Sequence, residues 1–204
     1  MDKNIFKTII VTLIAIICVL SFTWGTLTIF APYKVGKFAQ DLGAEKVAFA
    51  YFETDYKRNK SNDRLYNLTA SGFYAKKYSK TIKYGLELLK RDSFKNLYTN
   101  DRYIDVCIYV LQSKYLTNHE DLIAFLLNHS LHYNGEKIVD FAEYKPIITS
   151  IMFLANSKGD KHFLEILLST LLVDEKIGQD SFEIEQDYII FTTLIQNLQK
   201  LING

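Results

Sequence analysis

The sequence predicts an all-α protein, a single N-terminal transmembrane helix followed by helical hairpins stacked in series, and three observations predict it. Thr8 to Tyr33 is a run of twenty-six residues without one charged side chain. Glycine is scarce and proline stands only at 32 and 146, whereas tyrosine and phenylalanine total 28, a balance that suits helices packed through aromatic faces better than a turn-rich β protein. Beyond residue 33, apolar residues recur at helical spacing between short polar breaks. These features divide the chain into a tail and anchor at 1–33 and an α-helical repeat-like domain at 34–204, long enough for one domain with a sizeable core.

The anchor comes first. At about 1.5 Å per residue, residues 8–33 cover a hydrocarbon core of about 30 Å with some tilt to spare. Backbone groups in lipid must pair internally, so an isolated segment of this kind is a helix. Trp24 and Tyr33 stand where an aromatic belt is expected, and Pro32 suits a helix end. A cleaved secretory signal is the competing reading, but its apolar region would span only about 7–15 residues before a small-x-small site. Thr23-Trp24-Gly25 is a poor site of that kind, Pro32 after Ala31 opposes cleavage there, and Cys18 lacks the small residues that precede a lipoprotein cysteine. An uncleaved, single-pass anchor in the cell membrane is therefore expected. Lys3 and Lys7 on one side balance Lys34, Lys37 and Lys46 on the other, so charge sets no orientation. The short tail and large following domain favour an extracytoplasmic C-terminal domain.

After the anchor, 34–43 and 44–58 read as a short helix and a longer one separated at Gly43, with Val47, Ala48, Tyr51 and Phe52 as the buried stripe. The polar break 59–63 offers Asn62 or Asp63 as an N-cap. Helices at 63–75 and 78–91 follow, with Leu65, Leu68 and Gly72 on the first and Ile82, Leu86 and Leu89 on the second. A third pair is 101–115 and 118–133, where Asn118 and Asp121 resemble a capping box with the shorter acid, and Asn134-Gly135 signals a turn. The fourth pair, 138–156 and 160–173, is split by Ser157-Lys158-Gly159, with Gly159 suited to the left-handed conformation that ends helices. Pro146 inside this pattern implies a kink or a new helix start, with Lys145 biased towards extended backbone. A last helix at 182–201 carries Tyr188, Ile189, Phe191, Leu194, Ile195 and Leu198.

The second members of these pairs begin near 44, 78, 118 and 160, a loose period of hairpin size, which is the mark of an α-solenoid-like stack. Leu42-Gly43 with Ala48 and Tyr51, and Tyr78 with Ile82 and Leu86, give 37–91 a resemblance to tetratricopeptide-type repeats. The small residue of that family's second helix is not kept, since Thr81 and Leu88 occupy its natural alignments, and no proline closes a unit. The resemblance implies a concave surface for a protein or peptide and carries no residue assignment.

The near-neutral total charge conceals a division. Residues 33–98 hold fourteen Lys and Arg against seven Asp and Glu, and residues 99–204 hold eight against fifteen. The basic 34–98 region could contact anionic lipid headgroups, although charges along helices usually face water. Lys76, Lys77, Lys80 and Lys83 share a helix with no nucleic-acid motif beside them.

Candidate chemistry is sparse. His129 and His132 are three apart and could give two ligands to zinc, but no third ligand stands at a recognised spacing, and His119 with Glu120 lies about two turns away. His162 and Glu165 reverse the Glu-x-x-His order of carboxylate-bridged bundles. Cys107 stands in an apolar run that suits an inert buried thiol, and Cys18 with Cys107 makes no disulfide framework. Glu183, Glu185 and Asp187 suit a helix dipole and lack the central glycine of a calcium loop. Tyr51, Phe52, Tyr56, Tyr66, Phe73, Tyr74, Tyr78 and Tyr84 crowd the proximal half, as core or as a recognition surface. No phosphate loop or catalytic motif is present, so no catalytic, metal or cofactor-binding residue is assigned and no cofactor is expected. The sequence reads as a membrane-anchored scaffold or adaptor that binds a protein or peptide through residues it does not identify. The alternatives are a metal-dependent enzyme or sensor using the His129/His132 helix, and an accessory subunit of a membrane complex.

Overall fold

The computed structural model describes residues 3–92, 94, 100–134, 137–173 and 177–204. Among them the chain is all-helical apart from one two-stranded ladder, and it divides into two compact units, 1–75 and 76–204.

The first unit holds α1 (Lys3–Phe30), α2 (Pro32–Asp41), α3 (Glu45–Arg58) and α4 (Asn62–Tyr74). Within α1, Ile9–Phe30 is long and apolar enough to cross a membrane, and none of it is buried. Three of its hydroxyls are satisfied within the helix: Thr23, Thr26 and Thr28 each donate to a carbonyl three or four residues back. Ala31 leaves helical geometry, and Pro32 then takes the first turn of α2, where its missing N–H costs nothing. Pro32 thus closes one helix and opens the next.

α2 packs on α3, and α3 on α4. The approach of α2 to α3 requires Gly36, since a Cβ there would lie 2.9 Å from two ring carbons of Phe52. Gly43 ends α2 at φ +70°, with the Ala44 N–H donating back to the Ala39 carbonyl at 2.8 Å. On α3 the buried set is Ala48, Phe49, Phe52, Asp55 and Tyr56, while Val47 is exposed and Tyr51 half-buried. The expected stripe is therefore rotated by one position. Ser61, not Asn62 or Asp63, caps α4, its hydroxyl accepting the Arg64 N–H. Leu65, Leu68 and Gly72 are buried, as expected.

The second unit holds α5 (Tyr78–Leu89), α6 (Asn100–Leu116), α7 (Leu122–Ser130), strands β1 (Tyr133–Asn134) and β2 (Lys137–Ile138), α8 (Phe141–Ser157), α9 (Lys161–Val173), a 3-10 turn (Gln179–Ser181) and α10 (Glu185–Asn203). β1 and β2 are antiparallel, pairing Tyr133 with Ile138 and Asn134 with Lys137; Gly135, part of the expected turn, lies outside the described residues. α6 packs on α5 and α8, and α8 also meets α7, α9 and α10. α8 is central because Phe141, Tyr144, Ile147, Ile148, Ile151, Met152 and Ala155 are all buried along it.

Two sequence expectations change here. Asn118 does not cap α7: it takes φ 51° after α6, with the His119 N–H donating to the Lys114 carbonyl at 2.9 Å. Asparagine tolerates this left-handed geometry, so it ends one helix instead of starting another. Pro146 neither starts a helix nor forces Lys145 into extended backbone, because α8 begins at Phe141 and runs through it. Its first turn is held from outside: the Asp187 carboxylate accepts the Phe141 N–H at 2.9 Å and the Ala142 N–H at 3.1 Å. Gly159 does take the expected conformation, at φ +67°, and α10 starts at Glu185.

Candidate functional site

The site grows from the joint between α8 and α10. Asp140, which precedes α8, has left-handed backbone and offers no side-chain cap. Asp187, in the first turn of α10, supplies the missing acceptors and is itself buried. One carboxylate therefore stands at the N-terminal turns of two helices, where negative charge is favoured. Rings consolidate the joint: Phe141 lies 5.9 Å from Phe182 and 5.5 Å from Phe191, edge-on in both cases. The backbone adds the Glu183 N–H donating to the Ile138 carbonyl at 3.0 Å.

Beyond this joint α8 and α10 leave a groove of about 770 Å³ between them. Met152 and Phe153 line it from α8, and Ile189, Ile190, Leu194 and Leu201 from α10. Phe153 is 69% exposed and Ile189 48%, so its rim is apolar and open. Lys145 and Lys200 also line it, with no Asp or Glu among the described lining residues. That is notable in a region where acids outnumber bases by fifteen to eight. From Gln186 to Leu201 the α10 wall runs about 22 Å at helical rise. Apolar walls three and four residues apart, flanked by cations, fit an apolar-faced helix or peptide carrying acids.

The sequence names Ile189 only as one of the apolar residues that the last helix carries, and the structure puts it on this rim. The signal was the breadth of the stripe: Phe191, Leu194, Ile195 and Leu198 already fill the buried face of α10, which leaves Ile189 and Ile190 without a place in the core.

The histidines have other partners. His129, in the last turn of α7, meets the Tyr103 hydroxyl, Nδ1 to Oη 2.6 Å, with the Phe125 ring centred 4.3 Å away. His132 lies beyond the helix and stacks on Tyr144, rings 4.8 Å apart and 6° from parallel. Burial pushes the Tyr103 phenol up, with the neighbouring Cys107 adding to it, and burial followed by the charges of Glu143 and Asp140 pushes Tyr144 up. No three His, Cys, Asp or Glu side chains converge among the described residues.

His119 lies outside α7 and pairs with Asp121 at 2.6 Å. Asp121 also takes the ammonium of Lys114, whose side chain is wholly buried and whose Nζ stands 5.4 Å from the Phe125 ring centre. Hydrogen bonding from Lys114 holds the Asp121 carboxyl below the usual carboxylate range. This cluster ties the end of α6 to the start of α7.

Cys107 is buried, as its apolar run implies, and Cys18 is exposed on α1. His162 and Glu165 are exposed on α9, and so are Glu183 and Glu185. Asp187 is the one member of that acidic cluster with a buried task. Of the proximal aromatics, Phe52 and Tyr56 are buried, Tyr74 is exposed, and Tyr51, Tyr66, Phe73, Tyr78 and Tyr84 are half-buried; Lys76, Lys77, Lys80 and Lys83 are exposed.

Comparison with known proteins finds no family model that matches the chain, no similar curated protein and no similar solved structure.

Proposed function

We propose that this is a single-pass membrane protein whose helical domain acts as a scaffold or adaptor, holding a helix or peptide of a partner protein in the groove between α8 and α10. The observation that carries the reading is the groove itself, an open apolar channel with Lys145 and Lys200 in its lining. In this reading α1 crosses the bilayer, the domain lies outside the cytoplasm, and α6, α8 and α10, each packed on the next, are the stacked first members of helix hairpins. The groove is then the face that a further hairpin would cover, and a partner's helix takes that place. Its apolar residues meet Phe153 and Ile189, and its acids meet the two lysines, which set register and speed encounter.

The test is site-specific photocrosslinking in cells, with the reactive group placed in the full-length chain at Phe153 or Ile189 and, as a control, at the exposed Ile166 on α9. A discrete adduct is expected from the two groove positions and not from Ile166, and Lys145→Glu with Lys200→Glu should abolish it. Equal labelling from Ile166, or adducts indifferent to charge reversal, would remove the groove from the account.

A further inference from the structure

The bend between α1 and α2 holds two aromatic rings. Trp24 lies within the apolar stretch of α1, and Phe38 lies on α2 beyond the break at Ala31, yet their ring centroids are 6.2 Å apart, edge-on. Two side chains that sit seven residues on either side of the break meet only across the inside of the bend. The flank of α2 that carries Phe38 therefore faces the same side as Trp24.

That flank is not covered by the rest of its unit. Val35, Gly36 and Ala39 turn towards α3 and are buried, while Phe38 is 51% and Leu42 67% exposed. Lys34, Phe38 and Leu42 are four residues apart and share one face. Lys34 is exposed on this same face, Lys46 is exposed in the first turn of α3 four residues beyond Leu42 in the chain, and Asp41, next to Leu42 in the chain, is exposed as well. On the other side of α2, Lys37 stands 6.0 Å over the Phe52 ring. Arg58, from the end of α3, donates to the Ile29 carbonyl in the last turn of α1, a cation placed at a helix C-terminus just where α1 ends.

We infer that α2 lies in the headgroup layer of the bilayer that α1 crosses, with Phe38 and Leu42 inserted at the acyl boundary beside Trp24 and Lys34 and Lys46 reaching lipid phosphates. The inference rests on the reading of α1 as a membrane span. Its occupant is phospholipid because the exposed face continues the exposed apolar surface of α1 without interruption at Trp24. Long lysine stems suit this position, since they lie along apolar surface and carry the ammonium to water or phosphate. The bend then does more than join two helices: it fixes the depth at which the domain begins.

Tryptophan quenching tests this on the full chain in vesicles of phosphatidylcholine and phosphatidylglycerol, with bromine on acyl carbons either just below the ester or near the chain end. Trp24 is the sole tryptophan, so the native chain reports on the anchor. Two further chains, Trp24→Phe with Phe38→Trp and Trp24→Phe with Leu42→Trp, report on α2. Both α2 reporters are expected to lose most of their emission to shallow bromine and less to deep bromine, with blue-shifted spectra. Lys34→Glu with Lys46→Glu should weaken the shallow quenching, and unchanged quenching would remove the phosphate contacts. If Trp24 is quenched while both α2 reporters stay bright, the anchor stands and the inference fails; blue, unquenched spectra would mean that protein covers the face. If Trp24 itself is not quenched, the span and the inference fall together.

Discussion

α1 and α8 are both rich in apolar residues, and the folded chain treats them in opposite ways. From Ile9 to Phe30 no side chain of α1 is buried, whereas seven residues of α8 are buried against α6, α7, α9 and α10. The difference lies in how the polar groups are distributed. α8 carries Glu143, Lys145 and Asn156 away from its buried residues, so one stripe seeks protein and the rest meets water. α1 has no charge over the same length and hence no side that prefers water. Total hydrophobicity makes a helix need cover, and its arrangement around the axis decides whether protein on one side is enough.

The largest effect should come from placing a charge in each. Ile148→Asp puts an unpaired carboxylate where no solvent reaches, which should cost about 3–5 kcal/mol and unfold the helical domain. Ile16→Asp, in α1, should leave the domain's denaturation midpoint in detergent unchanged while opposing membrane insertion by about 2.5–3.5 kcal/mol. Denaturation followed by circular dichroism, with membrane fractionation alongside, reads both. Equal loss of folded signal from the two changes would break the contrast, since it would make α1 a core helix.

A smaller effect separates a helix that depends on its neighbour from one that does not. α8 lacks a side-chain cap of its own and donates two backbone hydrogen bonds to the Asp187 carboxylate. Asp187→Ala should lower stability by about 2 kcal/mol, the upper end for a lost cap, and Asp187→Asn by less because one acceptor oxygen remains. The measurement is the urea midpoint of each variant. A loss no larger than that from Glu185→Ala, an exposed acid in the same turn, would show that Asp187 serves only its own helix.

The same contrast separates what the sequence discloses from what it conceals. Local chemistry was legible: the uncharged run in α1, the glycine stops at 43 and 159, and the buried Leu65, Leu68 and Ile82 all follow from spacing and backbone preference. Long-range choices were not. Nothing near Phe141 in the chain announces that its N–H will be met by a carboxylate 46 residues later, so Pro146 looked like a break and the start of α8 was displaced. Asn118 reads as a cap from its spacing to Asp121, and nothing local announces that α6 will end at Leu116 and leave it as a left-handed stop. His129 and His132 share a face on an ideal helix, but α7 ends at Ser130 and separates them. The groove was not read from the sequence, because the apolar residues of α10 give no sign of which neighbour leaves it open.

The smallest effect concerns the far end of α8, where Asp160 links it to α9. Its carboxylate accepts the Tyr115 hydroxyl at 2.7 Å and the Phe163 N–H at 3.1 Å. Those two bonds, Tyr115 first, hold the carboxyl below the usual range. A depressed carboxyl adds stability above its unfolded value of about 3.9, and that stability disappears as pH falls through the lower folded value. Burial, and then the bond to Asp160, push the Tyr115 phenol up to about 12. A raised phenol adds stability below its unfolded value of about 10, lost as pH rises towards the folded one. The pair should therefore give a stability plateau with an acid and an alkaline edge. Tyr115→Phe keeps the ring that packs 4.9 Å from Phe163 and removes only the hydroxyl, at a cost of about 1 kcal/mol on the plateau. It should also move the acid edge upwards and abolish the alkaline contribution. Urea midpoints across the pH range would read all three, and profiles that run parallel for the two proteins would show that the hydroxyl and the carboxylate are not coupled. The stretch Ile9–Phe30 of α1 holds no carboxylate and no phenol, so it should add nothing of this kind to either edge.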